Sequence, residues 1–120
     1  MAAPSPLILL IEDEPDLREV IEELLNGEGC RVVCVADGAK ALEWLSQGQR
    51  PSLVLLDFIM PRMNGWSFLE RMRADPAFEC VPVVAISTQA ETHPSISASL
   101  RKPFDLTLLV ETVRRLASAS

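Results

Sequence analysis

The sequence predicts an α/β fold, a parallel sheet with helices packed on its faces. Short apolar runs alternate with longer amphipathic stretches along the chain, the pattern of strands buried on both sides and joined by crossover helices. Pairs such as Asp37-Gly38 and Asn64-Gly65 fall where an apolar run gives way to helical spacing. With 120 residues, the chain is long enough for one hydrophobic core and too short for two ordinary domains. It therefore reads as a single domain over 1–120, with a leader over 1–6 and a tail over 117–120 expected to fray.

Five strands are expected, at 7–12, 31–36, 52–57, 82–87 and 98–101. Between the first two, Leu17, Val20, Ile21, Leu24 and Leu25 recur at helical spacing, with Pro15 suited to the first turn and Gly27 or Gly29 to the stop. A second helix begins after Asp37-Gly38 and carries Ala41, Leu42 and Leu45. A third begins after Asn64-Gly65 and carries Trp66, Leu69 and Met72. Asp105 can cap the last helix, whose apolar face runs through Leu106, Leu109, Val110, Val113 and Leu116. Only ten residues, 88–97, separate the fourth and fifth strands, whereas a parallel crossover needs about a dozen or more. That segment contains Pro94 and is rich in Ser and Thr, so an irregular loop with at most a short helical turn is expected there.

Composition narrows the function. Apolar residues make up 48% and charged residues 23%, as in an ordinary soluble domain. A net charge of −6 argues against nucleic acid as a direct partner, because binding a phosphate backbone needs a basic face that releases counterions. The run Leu7-Ile8-Leu9-Leu10-Ile11 is too short to span a bilayer and has no basic residue before it, so no membrane insertion and a cytoplasmic location are expected. Cys30, Cys34 and Cys80 form no CxxC and are expected as buried reduced thiols. His93, the only histidine, leaves neither a zinc site nor a histidine-based triad with enough partners.

The chemistry-bearing residues fall at strand ends. The first strand ends in Glu12-Asp13-Glu14, the third in Asp57 and the fourth in Ser87, and Lys102 follows the fifth. In an open parallel sheet the carboxyl ends share one edge, where ligands bind at the reversal of strand order. Each residue alone has an ordinary explanation as a cap, a solvated turn or a surface lysine. Their joint placement favours a site. Carboxylates brought together raise one another's pKa unless a cation compensates, and oxygen ligands without His or Cys favour Mg²⁺. Asp57 then suits a nucleophile that forms an aspartyl phosphate, with Ser87 and Lys102 each holding a phosphoryl oxygen.

These residues stand in recognisable segments. Leu9-Leu10-Ile11-Glu12-Asp13-Glu14-Pro15, Leu53-Val54-Leu55-Leu56-Asp57-Phe58-Ile59-Met60-Pro61-Arg62-Met63-Asn64-Gly65, Pro82-Val83-Val84-Ala85-Ile86-Ser87 and Lys102-Pro103-Phe104 closely resemble the response-regulator receiver domains of two-component signalling, the CheY-like superfamily. The resemblance covers essentially the whole chain. It implies a flavodoxin-like three-layer sandwich with a five-stranded parallel sheet of order 2-1-3-4-5. It also implies that Asp57 is the phospho-acceptor, that Mg²⁺ is held by Asp13, Asp57 and the backbone carbonyl of Ile59, and that Glu12 binds the metal through water. The Lys102-Pro103 peptide is expected to be cis on the same ground.

The chain departs from the family pattern in three places. Ser87 and Lys102 lie fifteen positions apart, so the fourth helix is expected to be truncated or absent. Ser99 stands where the family carries a switch aromatic, and Thr88 where a small residue follows the hydroxyl. The expected function is a stand-alone receiver, not a classical enzyme. It would take a phosphoryl group from a histidine kinase or histidine phosphotransfer protein and signal through a separate output protein. The alternative is a phosphorylation-independent interaction module. A metal-dependent phosphatase is disfavoured because Ile59 stands where such enzymes place a second Asp.

Overall fold

The structure is a computed structural model and describes residues 5–58, 65–87, 96–102 and 105–117. The five apolar runs form β1 (Leu7–Ile11), β2 (Arg31–Val35), β3 (Leu53–Asp57), β4 (Val83–Ser87) and β5 (Ala98–Arg101). They pair in parallel in the order β2-β1-β3-β4-β5, as the resemblance implies. Every residue of β3 and β4 is buried, because helices cover both faces of the sheet.

Alternation along each strand divides the core in two. Leu9, Ile11, Val54, Leu56, Val83 and Ala85 pack on one face against α2 (Gly38–Leu45) and α3 (Gly65–Arg73). Ile8, Leu10, Leu53, Leu55, Val84 and Ile86 pack on the other against α1 (Pro15–Gly27) and α4 (Leu106–Ala117).

Local chemistry explains the helix ends. Pro15 occupies the first turn of α1, where a missing N–H costs no helical hydrogen bond. The helix closes at Gly27, and Gly29, at φ +88°, takes the left-handed turn that leads into β2. Asp37 caps α2 by accepting a hydrogen bond from the Lys40 N–H at 2.8 Å, and Asp105 accepts one from the Thr107 N–H at the start of α4. A 3₁₀ turn at Pro76–Phe78, capped by Asp75, was not expected.

Several expectations need correction. Val20, Trp66 and Leu106 belong to the expected apolar stripes, yet each is more than two-fifths exposed. At 100° per residue, Val20 lies beside the stripe defined by buried Ile21 and Leu25 rather than in it. Ala117 is helical and buried instead of frayed. Cys30 and Cys34 are half-buried and Cys80 is exposed, because Cys80 follows the 3₁₀ turn on the surface. A fourth helix in chain order is present, α4 after β5. The crossover expected to lack a helix, together with Thr88 and His93, lies outside the described residues, as does the Pro103 end of the peptide expected to be cis.

Candidate functional site

Strand register brings the singled-out residues to one level of the carboxyl edge. Ile11 pairs with Leu56, Asp57 with Ile86, and Ser87 with Arg101. Glu12 leaves the ladder, its N–H still donating to the Val35 carbonyl at 3.1 Å. Lys102 is drawn towards β4 because its backbone N–H donates to the Ser87 carbonyl at 2.7 Å. The neighbouring bond, from the Phe58 N–H to the Ile86 carbonyl at 3.1 Å, extends the β3–β4 ladder just past Asp57.

At this edge one carboxylate oxygen from each of Glu12, Asp13 and Asp57 lies within 4.8 Å of the others. Glu12 and Asp57 are buried, and Asp13 faces solvent. The Lys102 ammonium sits 3.2 Å from Glu12 Oε1 and 3.4 Å from Asp57 Oδ2. The second Glu12 oxygen, Oε2, accepts a hydrogen bond from the Glu14 N–H at 3.2 Å.

The electrostatics follow from burial. Desolvation, then the hydrogen bond and charge of Asp57, push the Glu12 carboxyl up to about 7, while the Glu14 N–H and Lys102 act in the opposite sense. Burial alone would lower the Lys102 pKa, but the charges of Glu12 and Asp57 outweigh it and raise the value. One ammonium against three carboxylates leaves the edge electronegative. Three hard oxygen donors without nitrogen or sulfur, one of them open to solvent, suit a divalent cation that retains water ligands.

Of the residues expected at the site, Glu12, Asp13, Asp57 and Lys102 converge directly, and Ser87 lies buried beside them at the end of β4. The Ile59 carbonyl falls outside the described residues. Ser99 is exposed on β5, at the sheet edge. Two features were not foreseen from the sequence. The Phe58 ring stacks on Trp66, centroids 5.2 Å apart and planes at 16°, and it fills the space where Gly65 would carry a Cβ. Arg18 reaches back from α1, its Nη1 donating to the Glu12 carbonyl at 3.0 Å. A cation near a helix N-terminus runs against the helix dipole, which was the one available sign that Arg18 has a local partner.

A doubly wound parallel sheet with an acidic cluster and a lysine at its carboxyl edge defines an α/β ligand-binding class. Within it, the chain belongs to the response regulator receiver domain family, whose model matches residues 8–114. Receiver domains take phosphoryl groups from histidine kinases and act on output domains. The chain is 36% identical over 124 aligned residues to the response regulator Rre1 of Synechocystis sp., an alignment taking in 97% of this chain and 53% of that protein, so it spans about half of that relative's length. Its fold is similar to the receiver domain of the sensor histidine kinase PA1611 from Pseudomonas aeruginosa PAO1, solved with a magnesium ion coordinated in its active site cleft. There the TM-score is 0.85 and the identity 30%, covering 95% of this chain and 98% of that one. The phosphorylated cyanobacterial phytochrome response regulator RcpA matches with a TM-score of 0.80 at 27% identity, covering 97% of this chain and 96% of that one.

Proposed function

We propose that this chain is a receiver unit that accepts a phosphoryl group on Asp57 in a Mg²⁺-dependent reaction and thereby changes its contacts with a separate output protein. The observation that carries this reading is the convergence of Asp57 with Glu12, Asp13 and Lys102 at one edge of the sheet. Membership of the family and the magnesium in the PA1611 cleft support it.

Asp13 and Asp57 would hold Mg²⁺ directly, Glu12 through water, and the Ile59 carbonyl would complete the protein's share of ligands. Bound there, the ion supplies positive charge against the phosphoryl oxygens. An Asp57 carboxylate oxygen donates the electron pair of the new O–P bond while the P–N bond of a phosphohistidine breaks and its electrons return to the imidazole. Lys102 holds one phosphoryl oxygen as a point charge, and the Ser87 hydroxyl donates a hydrogen bond to another. The donor is a histidine kinase or a histidine phosphotransfer protein. The only catalysis proposed for the domain is of its own phosphorylation and dephosphorylation.

No helix among the described residues is long and apolar enough to cross a membrane, and we assign the reaction to the cytoplasm. The acidic net charge favours a protein over nucleic acid as the direct target. The exposed Ser99 on β5, at the position of the family's switch aromatic, favours a second reading as a constitutive interaction module. That reading predicts equal partner affinity for the wild type and Asp57→Asn.

Intact-mass spectrometry after incubation with acetyl phosphate tests the primary reading. A phosphoryl adduct should form on the wild type with Mg²⁺, and should be absent without the metal and in Asp57→Asn. An adduct that persists in Asp57→Asn, or none on the wild type, rejects it.

A further inference from the structure

We propose that Arg18 is a positioning residue for the metal ligand Asp13. This inference rests on the reading of the acidic cluster as a Mg²⁺ site. Its basis is the bonding of Glu12, whose backbone and side chain are held by four groups besides Asp57. The N–H donates to Val35 of β2, and the carbonyl accepts from Arg18 Nη1 at 3.0 Å. Oε1 meets Lys102, and Oε2 accepts from the Glu14 N–H. Three of these partners bear on the ladder or the carboxylate. Among the described residues, the bond shown on the Glu12 carbonyl is that from Arg18.

That carbonyl belongs to the peptide plane that also contains the Asp13 nitrogen and Cα. A peptide is planar, so fixing its oxygen fixes where the next Cα lies and the axis about which that residue turns. Asp13 stands between the end of β1 and the start of α1, outside both, and its side chain is exposed. Neither a ladder nor core packing orients it. The guanidinium bond supplies the constraint that regular structure does not.

The placement of Arg18 follows from the helix. Its backbone N–H donates to the Glu14 carbonyl at 3.0 Å in the first turn of α1, and long side chains on a helix slope back towards the N-terminus. Arg18 thereby reaches the strand end six residues earlier. Arg18 is half-buried, and the bond from its charged head to the carbonyl is charge-assisted.

Positioning and simple electrostatics predict opposite results, which makes the inference testable. Removing the positive charge of a guanidinium bonded to the Glu12 backbone tightens the binding of a divalent cation at the neighbouring acidic site if charge alone matters. Removing the carbonyl anchor loosens it if Asp13 must be held in place.

Isothermal titration of Mg²⁺ into the wild type, Arg18→Met and Arg18→Gln is the experiment, with thermal melts confirming that each variant folds. Both neutral variants should bind Mg²⁺ at least about three-fold more weakly, and Arg18→Lys, which keeps a donor and the charge, should recover part of that loss. In metal-free protein the Asp13 amide should exchange its hydrogen faster in the neutral variants, while amides of β3 and β4 stay unchanged. A folded neutral variant that binds Mg²⁺ as tightly as the wild type, or more tightly, overturns the inference. A wild type that binds no Mg²⁺ overturns the underlying reading instead.

Discussion

Glu12 is the residue at which burial and charge conflict most sharply. Its carboxyl has no solvent exposure, lies beside Asp57, and titrates at about 7 rather than at the ordinary 4.5. Between those values the folded chain holds a proton that the unfolded chain has released. Stability of the metal-free protein should therefore fall as pH rises from about 4.5 to about 7, and this contribution should level off above that. Urea denaturation across that window should show the slope in the wild type and lose it in Glu12→Gln. A bound divalent cation competes with the same proton, so Mg²⁺ affinity should rise over the same range. Lys102 only partly relieves the conflict, because one ammonium is shared between two buried carboxylates.

At the scale of elements, the start of α3 is tied to the end of β3 through one ring. Phe58 follows Asp57 directly, stacks on Trp66, and occupies the volume beside Gly65 that any Cβ would need. The Gly65 N–H also donates to the Phe58 carbonyl at 3.1 Å, so strand end and helix start are bonded as well as packed. Gly65→Ala must displace the Phe58 ring, an overpacking expected to cost about 1–3 kcal/mol. Because Phe58 adjoins Asp57, the proposed acceptor, the variant should also phosphorylate more slowly with acetyl phosphate. Denaturant melts and intact-mass time courses check the two effects separately. Gly65→Ala with wild-type stability would show that the ring has room to move.

For the molecule as a whole, the sheet is the shared wall of two cores. Leu55 of central β3 is completely buried in the core that α1 and α4 cover, while its neighbour Leu56 serves the opposite core. Leu55→Ala should destabilise the fold by about 2–5 kcal/mol, and unfolding should remain a single transition by circular dichroism and tryptophan fluorescence alike. If the acidic cluster binds Mg²⁺ as proposed, the added ion should raise the melting temperatures of this variant and of the wild type alike, because ligand linkage acts on the site and not on the core. By contrast, the Arg114–Glu28 ion pair between α4 and the end of α1 is largely exposed at its arginine and adds little.

The architecture was legible because its signals are local and repeated. The continuous apolar runs of β1, β3 and β4, the helical spacing of Ile21 with Leu25 and of Leu109 with Val113, and the caps Asp37 and Asp105 each act over a few residues. Glu12, Asp13, Asp57, Ser87 and Lys102 were also readable as candidates, since every one lies at or just beyond a strand end and a parallel sheet gathers such ends on one edge. What the sequence could not determine was which groups meet at hydrogen-bonding distance. That depended on Lys102 bonding across to Ser87, on Arg18 folding back to the Glu12 carbonyl, and on Phe58 closing over Gly65. It also depended on which apolar positions stay exposed, as Trp66 and Val20 do. Periodicity and strand-end placement arise from the covalent chain, whereas these contacts join residues from different elements. They exist only after the sheet has set the register between its strands and the helices have settled on its faces.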